Sequence, residues 1–138
     1  MPARDVFHNA VRKALANDGW TITDDPLRLQ WGKKDMYVDL GAEKLIGAEK
    51  EGMRIAVEIK SFGGASDVRD LEQAFGQYFV YRAVIKQTQP DRNLFLAVAI
   101  DIYAEVFEDD LGQLLLETYQ APLIVFDPVT EEIVKWIK

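Results

Sequence analysis

The chain contains no cysteine, which excludes a disulfide framework, a thiolate metal site and a cysteine nucleophile. It has a single histidine, His8, and no Ser-His-Asp arrangement can be built around it, because no nucleophile pairs with it. No apolar run approaches the roughly 18 residues that span a bilayer. The opening Met1-Pro2-Ala3-Arg4-Asp5 lacks an apolar signal region, so a cytoplasmic protein with no membrane anchor is expected. The paired glycines Gly63-Gly64 lack the further glycines and the Lys-Ser or Lys-Thr of a phosphate-cradling loop, and read as a turn. There are no internal repeats, no low-complexity tract and no added DNA-reading module.

Excess positive charge is missing too, and its absence needs locating. The chain of 138 residues carries a net charge of −7. Residues 1–40 hold six basic and six acidic side chains, and residues 41–100 hold eight of each. Residues 101–138 hold nine acidic against two basic. The first hundred residues are therefore neutral and can still focus Arg and Lys on one face toward DNA. The acidic end suits a protein partner or solvent better.

A hydrophobic content of 49% over 138 residues suffices for one α/β domain with a real core. Val6, Phe7, Ala10, Val11, Ala14 and Leu15 recur at helical spacing, and Asn17-Asp18-Gly19 ends that helix. Trp20 to Ile22 and Leu27 to Trp31 read as short strands or an irregular hairpin, broken at Asp25-Pro26. Tyr37 to Leu40 and Leu45 to Glu49 are extended candidates before the strand Ile55–Lys60. Ser66 is the predicted N-cap of a long helix carrying Leu71, Ala74, Phe75, Tyr78, Arg82 and Ile85. Leu94 to Ile100 is apolar throughout, as a strand covered on both faces would be. A leucine-rich helical stretch (101–119) follows, then a strand pair, Pro122 to Phe126 and Ile133 to Ile137.

The most informative stretch is Ile55-Ala56-Val57-Glu58-Ile59-Lys60. Alternation puts Glu58 and Lys60 on one face of the strand and Ile55, Val57 and Ile59 on the other. Taken alone, this is also the pattern of any amphipathic strand with a wet face. Its chemical reading is half of a metal-dependent phosphodiesterase site. Hydrolysis of a phosphodiester calls for a divalent cation, Mg²⁺ or Mn²⁺, bound by oxygen ligands. Asp39 and Glu58 would supply carboxylates and Ile59 its main-chain carbonyl, with Lys60 beside the attacking water. Asp35 competes with Asp39 for the first carboxylate. Gln77 and Tyr81 lie four apart on one helical face, where Gln77 could hold the water or a phosphate oxygen.

The order of these parts resembles the PD-(D/E)xK nuclease superfamily, and Gln77-x-x-x-Tyr81 resembles its RecB-like branch. His8 falls where many such enzymes place a first-helix glutamate. Val38 replaces the proline before the aspartate, and the gap from Asp39 to Glu58 is long. A closer resemblance covers nearly the whole chain. Asp5-Val6-Phe7-His8-Asn9-Ala10-Val11, Tyr37-Val38-Asp39-Leu40-Gly41-Ala42-Glu43, Ala56-Val57-Glu58-Ile59-Lys60-Ser61-Phe62, Gly112-Gln113-Leu114-Leu115-Leu116 and Val134-Lys135-Trp136-Ile137 look like the XisH family.

This resemblance implies a PD-(D/E)xK endonuclease-like fold, a central mixed sheet flanked by helices with a C-terminal helix and strand-pair extension. The nuclease-like core would span about 1–100 and the acidic extension about 101–138. It implies a controlling factor for programmed excision of the fdxN DNA element, acting with an XisI partner protein beside a recombinase. Two expectations follow, and self-association into a homo-oligomer stays open under both. The first is a Mg²⁺-dependent DNA endonuclease using Asp39, Glu58, Lys60 and Gln77, supported by His8 and Tyr81. The second is a catalytically silent regulator that binds XisI and steers the recombinase. Arg28, Lys33, Lys34, Arg54 and Arg69 are candidate DNA contacts, and Glu105, Glu108, Asp109 and Asp110 the candidate partner surface.

Overall fold

In the computed structural model, which describes residues 6–45 and 52–138, the first apolar stripe forms helix α1 (His8–Asn17). Its Val11, Ala14 and Leu15 are buried, and Gly19, at φ 94°, takes the left-handed turn that ends it. Strand β1 (Thr21–Asp24) leads into a separate two-stranded hairpin, β2 (Leu27–Trp31) and β3 (Lys34–Val38). The chain bends at Asp39 into β4 (Leu40–Leu45), and β5 (Gly52–Ile59) follows. The extended candidate beyond Leu45 lies outside the described residues.

Helix α2 (Asp67–Thr88) begins as the sequence predicts. Ser66 Oγ accepts the Arg69 N–H at 3.3 Å, and Asp67 and Asp70 in the first turn complement the helix dipole. Strand β6 (Arg92–Ala99) is buried from Leu94 onward. The leucine-rich stretch is not one helix. It divides into a single turn α3 (Ile100–Ile102), a π-helical turn (Tyr103–Phe107) and α4 (Asp110–Tyr119). Strands β7 (Leu123–Asp127) and β8 (Glu132–Ile137) close the chain.

Six strands form one mixed sheet in the order β1-β4-β5-β6-β7-β8. The β5–β6 and β6–β7 pairs are parallel and the remaining pairs antiparallel. The C-terminal strand pair thus extends the central sheet itself, and Leu123, Ile124, Val125 and Phe126 are buried in it. Alternation divides the core between two faces. Ile55, Val57 and Ile59 pack with Val11 and Leu15 of α1 and with Phe95, Ala97 and Phe126. Ala56 packs on the opposite face with Leu71, Phe75 and Tyr78 of α2 and with Leu96 and Val98. The hairpin residues Leu27, Leu29 and Val38 join this second cluster. The face of β5 that carries Glu58 is therefore covered by α2 and the hairpin, and is not the wet face its charges suggest.

The break in 101–119 has a steric cause. A Cβ on Gly112 would run into the Val106 carbonyl oxygen and lie 2.6 Å from Phe107 Cα. Only glycine lets α4 pass this close to the π-helical turn, and Gln113 Nε2 then donates to the Phe107 carbonyl. Because the opposing atoms are backbone, Gly112→Ala should destabilise the fold by about 3 kcal/mol. Urea unfolding checks this, and an unchanged midpoint would show that the turn yields to the methyl group.

Candidate functional site

The antiparallel register of β4 on β5, with Leu40 opposite Val57, carries Asp39 alongside Glu58. The two are joined through the main chain. Asp39 N–H donates to Glu58 Oε1 at 3.2 Å, and Ile59 N–H donates to Asp39 Oδ2 at 2.8 Å. Lys60, just past the end of β5, places Nζ 3.1 Å from Glu58 Oε2 and also donates to Gln77 Oε1. Asp39, Glu58, Lys60 and Gln77 are thus linked in one chain of contacts.

Glu58 is 6% exposed, so its carboxylate has lost most of its water. Burial first, then the Asp39 charge, push its carboxyl up to about 7, against the lowering pull of Lys60. Burial, reinforced by Glu58 and Asp39, likewise pushes the Tyr81 phenol up to about 12. Tyr81 is then a neutral hydroxyl at physiological pH, in the electrostatic reach of both carboxylates. Gln77 and Tyr81 share a helical face toward the site, as their spacing predicts.

Lys60 and Gln77 border a cleft of about 540 Å³ that runs from Ile59 past Gly63 and Gly64 to Asp70 and Gln73, while Asp39, Glu58 and Tyr81 lie outside its lining. Asp70 and Gln73 were not singled out in the sequence. A signal was present, because Asp70, Gln73 or Ala74, Gln77 and Tyr81 follow three- and four-residue steps along α2. The Gly63-Gly64 turn is also more constrained than a bare break. Gly64 N–H donates to Asp70 Oδ2 at 3.1 Å, and a Cβ there would collide with that carboxylate.

One expectation is corrected, and the open choice between Asp35 and Asp39 is narrowed. His8 does not join the group. It sits on α1, whose apolar residues pack on the other face of the sheet, and its Nε2 donates to Asp25 Oδ1 at 2.8 Å. Arg12 donates to the same Asp25 carboxylate. Asp35, the rival first carboxylate, is exposed on the hairpin and pairs with Arg28 at 3.0 Å. The candidate DNA contacts do not form one patch. Arg28, Lys33 and Lys34 share the hairpin, Arg54 lies near the start of β5 opposite Arg92, and Arg69 lies in the first turn of α2. Glu105, Glu108, Asp109 and Asp110 are all exposed around the π-helical turn and the start of α4.

Among the described residues, no three or more His, Cys, Asp and Glu side chains gather to hold a metal ion. Two adjacent carboxylates remain, which is a usual protein contribution to Mg²⁺ when water and substrate oxygens complete the shell. Among the described residues, no helix is long and apolar enough to cross a membrane.

Fold and site together define a mixed α/β protein with an acidic, lysine-bearing group at the end of a central strand. A family model described as XisH protein matches residues 1–134, and the chain belongs to the XisH family. Two solved structures are similar to it. One is an XisH family protein from Nostoc punctiforme PCC 73102, 36% identical with a TM-score of 0.88, covering 97% of this chain and 100% of that one. The other is an fdxN element excision controlling factor protein from Anabaena variabilis, 38% identical with a TM-score of 0.88, covering 98% of this chain and 100% of that one. No curated protein matches the chain.

The elevated Glu58 carboxyl makes stability depend on pH in a definite direction. The folded chain holds this proton up to about 7, whereas an unfolded glutamate releases it near 4.5. The resulting stability is full below 4.5 and is lost as pH rises through 7, a difference of roughly 3 kcal/mol. In EDTA, the melting temperature of the wild type should fall between pH 5 and 8, and Glu58→Gln should flatten that decline. Parallel pH profiles for the two proteins would refute the assignment.

Proposed function

We propose that this protein serves in the excision of a DNA element, as the Anabaena variabilis relative is described, and carries a phosphodiester-hydrolysing site of PD-(D/E)xK type. The observation that carries the reading is the contact chain Asp39–Glu58–Lys60–Gln77, with Glu58 pushed up by burial and by its carboxylate neighbour. A buried carboxylate beside a half-buried one resists holding a second negative charge, and a hard dication would relieve it. Asp39 and Glu58 would hold Mg²⁺ or Mn²⁺, with the Ile59 carbonyl as a third ligand. The chemistry supplied on binding would be charge neutralisation and a more acidic attacking water.

The side chains have separable tasks in this reading. Lys60, steadied between Glu58 and Gln77, presents its ammonium to the charge that develops on phosphate oxygen. Gln77 spends its carbonyl on Lys60, which leaves its amide N–H groups to orient the water or a non-bridging oxygen. Tyr81 stays protonated, a neutral hydroxyl within the electrostatic reach of both carboxylates. DNA in the cytoplasm is the substrate class, and the cleft along Gly63, Gly64 and Gln73 would receive its backbone.

A second reading is favoured by the exposed acidic run Glu105, Glu108, Asp109 and Asp110. Here the chain is a catalytically silent regulator that uses this surface to bind an XisI-like partner and steer a recombinase.

Supercoiled plasmid and branched DNA, incubated with Mg²⁺ or Mn²⁺, separate the two readings. The wild type should cleave, and Lys60→Ala and Asp39→Ala should each lose about 100-fold or more of that activity while staying folded. Absence of cleavage under all conditions, with the purified partner present and absent, would leave the regulator. Reversing the four acidic charges should weaken partner binding without moving the melting temperature, and unchanged binding would remove that surface from consideration.

A further inference from the structure

The β2–β3 hairpin is a two-stranded ribbon outside the main sheet, inserted between β1 and β4. Its register pairs Leu27 with Val38, Leu29 with Met36 and Trp31 with Lys34, so these six side chains share one face. The first two pairs pack on the α2-side core. The third continues the same face past the end of that core, where Trp31 is 54% exposed and Lys34 is exposed. Gly32 makes the turn at φ 60°, with nothing within 4 Å of the position a Cβ would take, and Lys33 beside it is exposed.

A chain of net charge −7 thus presents a protruding tip made of an indole and two ammonium groups. Residues 27–38 carry three basic side chains against the single acid Asp35, and Asp35 is engaged by Arg28 at 3.0 Å. Lys33 and Lys34 have no ion-pair partner among the described residues. The ribbon is anchored at the site, because β3 ends at Val38 and Asp39 follows directly. From Lys34 to Asp39 an extended strand reaches about 17 Å. Along a duplex rising 3.4 Å per base pair, that is roughly five base pairs.

We infer that the β2–β3 hairpin is an arm that grips duplex DNA about five base pairs to one side of the phosphate to be cleaved at the Asp39–Glu58–Lys60 site. The inference rests on the phosphodiesterase reading for its placement. Lys33 and Lys34 take backbone phosphates, and Trp31 packs against a sugar or base. The major groove admits a two-stranded ribbon of this width. An acidic protein surface would satisfy the lysines equally, but it gives no reason for an exposed indole beside them on a ribbon that runs directly into Asp39.

The test is fluorescence anisotropy with a labelled 30-base-pair duplex, and with one of its strands alone, in Ca²⁺ so that binding is read apart from cleavage. Lys33→Gln/Lys34→Gln should weaken duplex binding at least tenfold and lower the slope of log affinity against log salt by about two. Trp31→Ala should weaken binding roughly tenfold and leave that slope unchanged. Both variants should melt with the wild type, since the altered side chains touch no core. Wild-type binding that the variants reproduce would overturn the arm and leave the phosphodiesterase reading standing. Binding through the arm without cleavage in Mg²⁺ would do the reverse. Wild-type protein that binds no DNA, or only the single strand, would overturn the arm as stated.

Discussion

A carboxylate removed from water must be neutralised or find compensating charge close by, and Glu58 is where this chain meets that requirement. Its position is fixed from three sides. β5 is hydrogen-bonded to β4 and β6, so the Glu58 backbone cannot retreat toward solvent. Tyr78 and Ala74 of α2 are buried over the same face of the sheet. Asp39 is tied to the Glu58–Ile59 segment by two main-chain donors, which hold a second negative group where electrostatics alone would expel it. Lys60 provides partial compensation and needs Gln77 to keep it in place. The geometry of the site follows from this arrangement: two acids forced together, one base bridging outward, and a helix supplying polar atoms along one stripe.

The opposite face of the same strand shows why the arrangement survives. Ile55, Val57 and Ile59 are almost completely buried against α1, Phe95 and Phe126. Full burial of aliphatic side chains of this kind contributes about 1.5–3 kcal/mol each. Three of them outweigh a penalty of roughly 3 kcal/mol for the raised Glu58. Alternation in one six-residue segment thus places stabilising side chains on one face and costly ones on the other, within hydrogen-bonding distance of the same backbone. A scaffold that serves only to bind a partner has no physical need of the costly half.

Much of this is legible in the sequence where a local period decides it. The Glu58-x-Lys60 pairing, the Ser66 cap, the Gln77–Tyr81 face and the buried run after Leu94 all depend on residues a few positions apart. What is not legible depends on long-range register. Asp35 and Asp39 are equally plausible carboxylates until Leu40 is set opposite Val57, which brings only Asp39 to Glu58. His8 shares its helical stripe with Val11 and Leu15, and the period says that the stripe is buried but not on which side of the sheet. Leucines through 101–119 hide a break imposed by the close approach of Gly112 to the π-helical turn, a contact between backbones that no side-chain pattern reports. The cover over the Glu58 face is hidden for a related reason: alternation identifies faces, whereas cover comes from a helix and a hairpin elsewhere in the chain.

The net charge of −7 is compatible with a DNA-handling surface because of strand order rather than composition. The hairpin with Arg28, Lys33 and Lys34 joins β1 to β4 at one side of the sheet, while the acidic segment joins β6 to β7 toward the other. β4 and β7 are three strand spacings apart, about 14 Å. The Debye length in physiological salt is about 8 Å, so the acidic residues are largely screened at the hairpin and at the Lys60 side of the cleft. At low salt the same separation gives the chain a polarity, basic arm toward a polyanion and acidic segment away from it. The two proposed readings, a DNA-facing arm and an acidic partner surface, therefore fall on separate parts of the fold and need not compete for one surface.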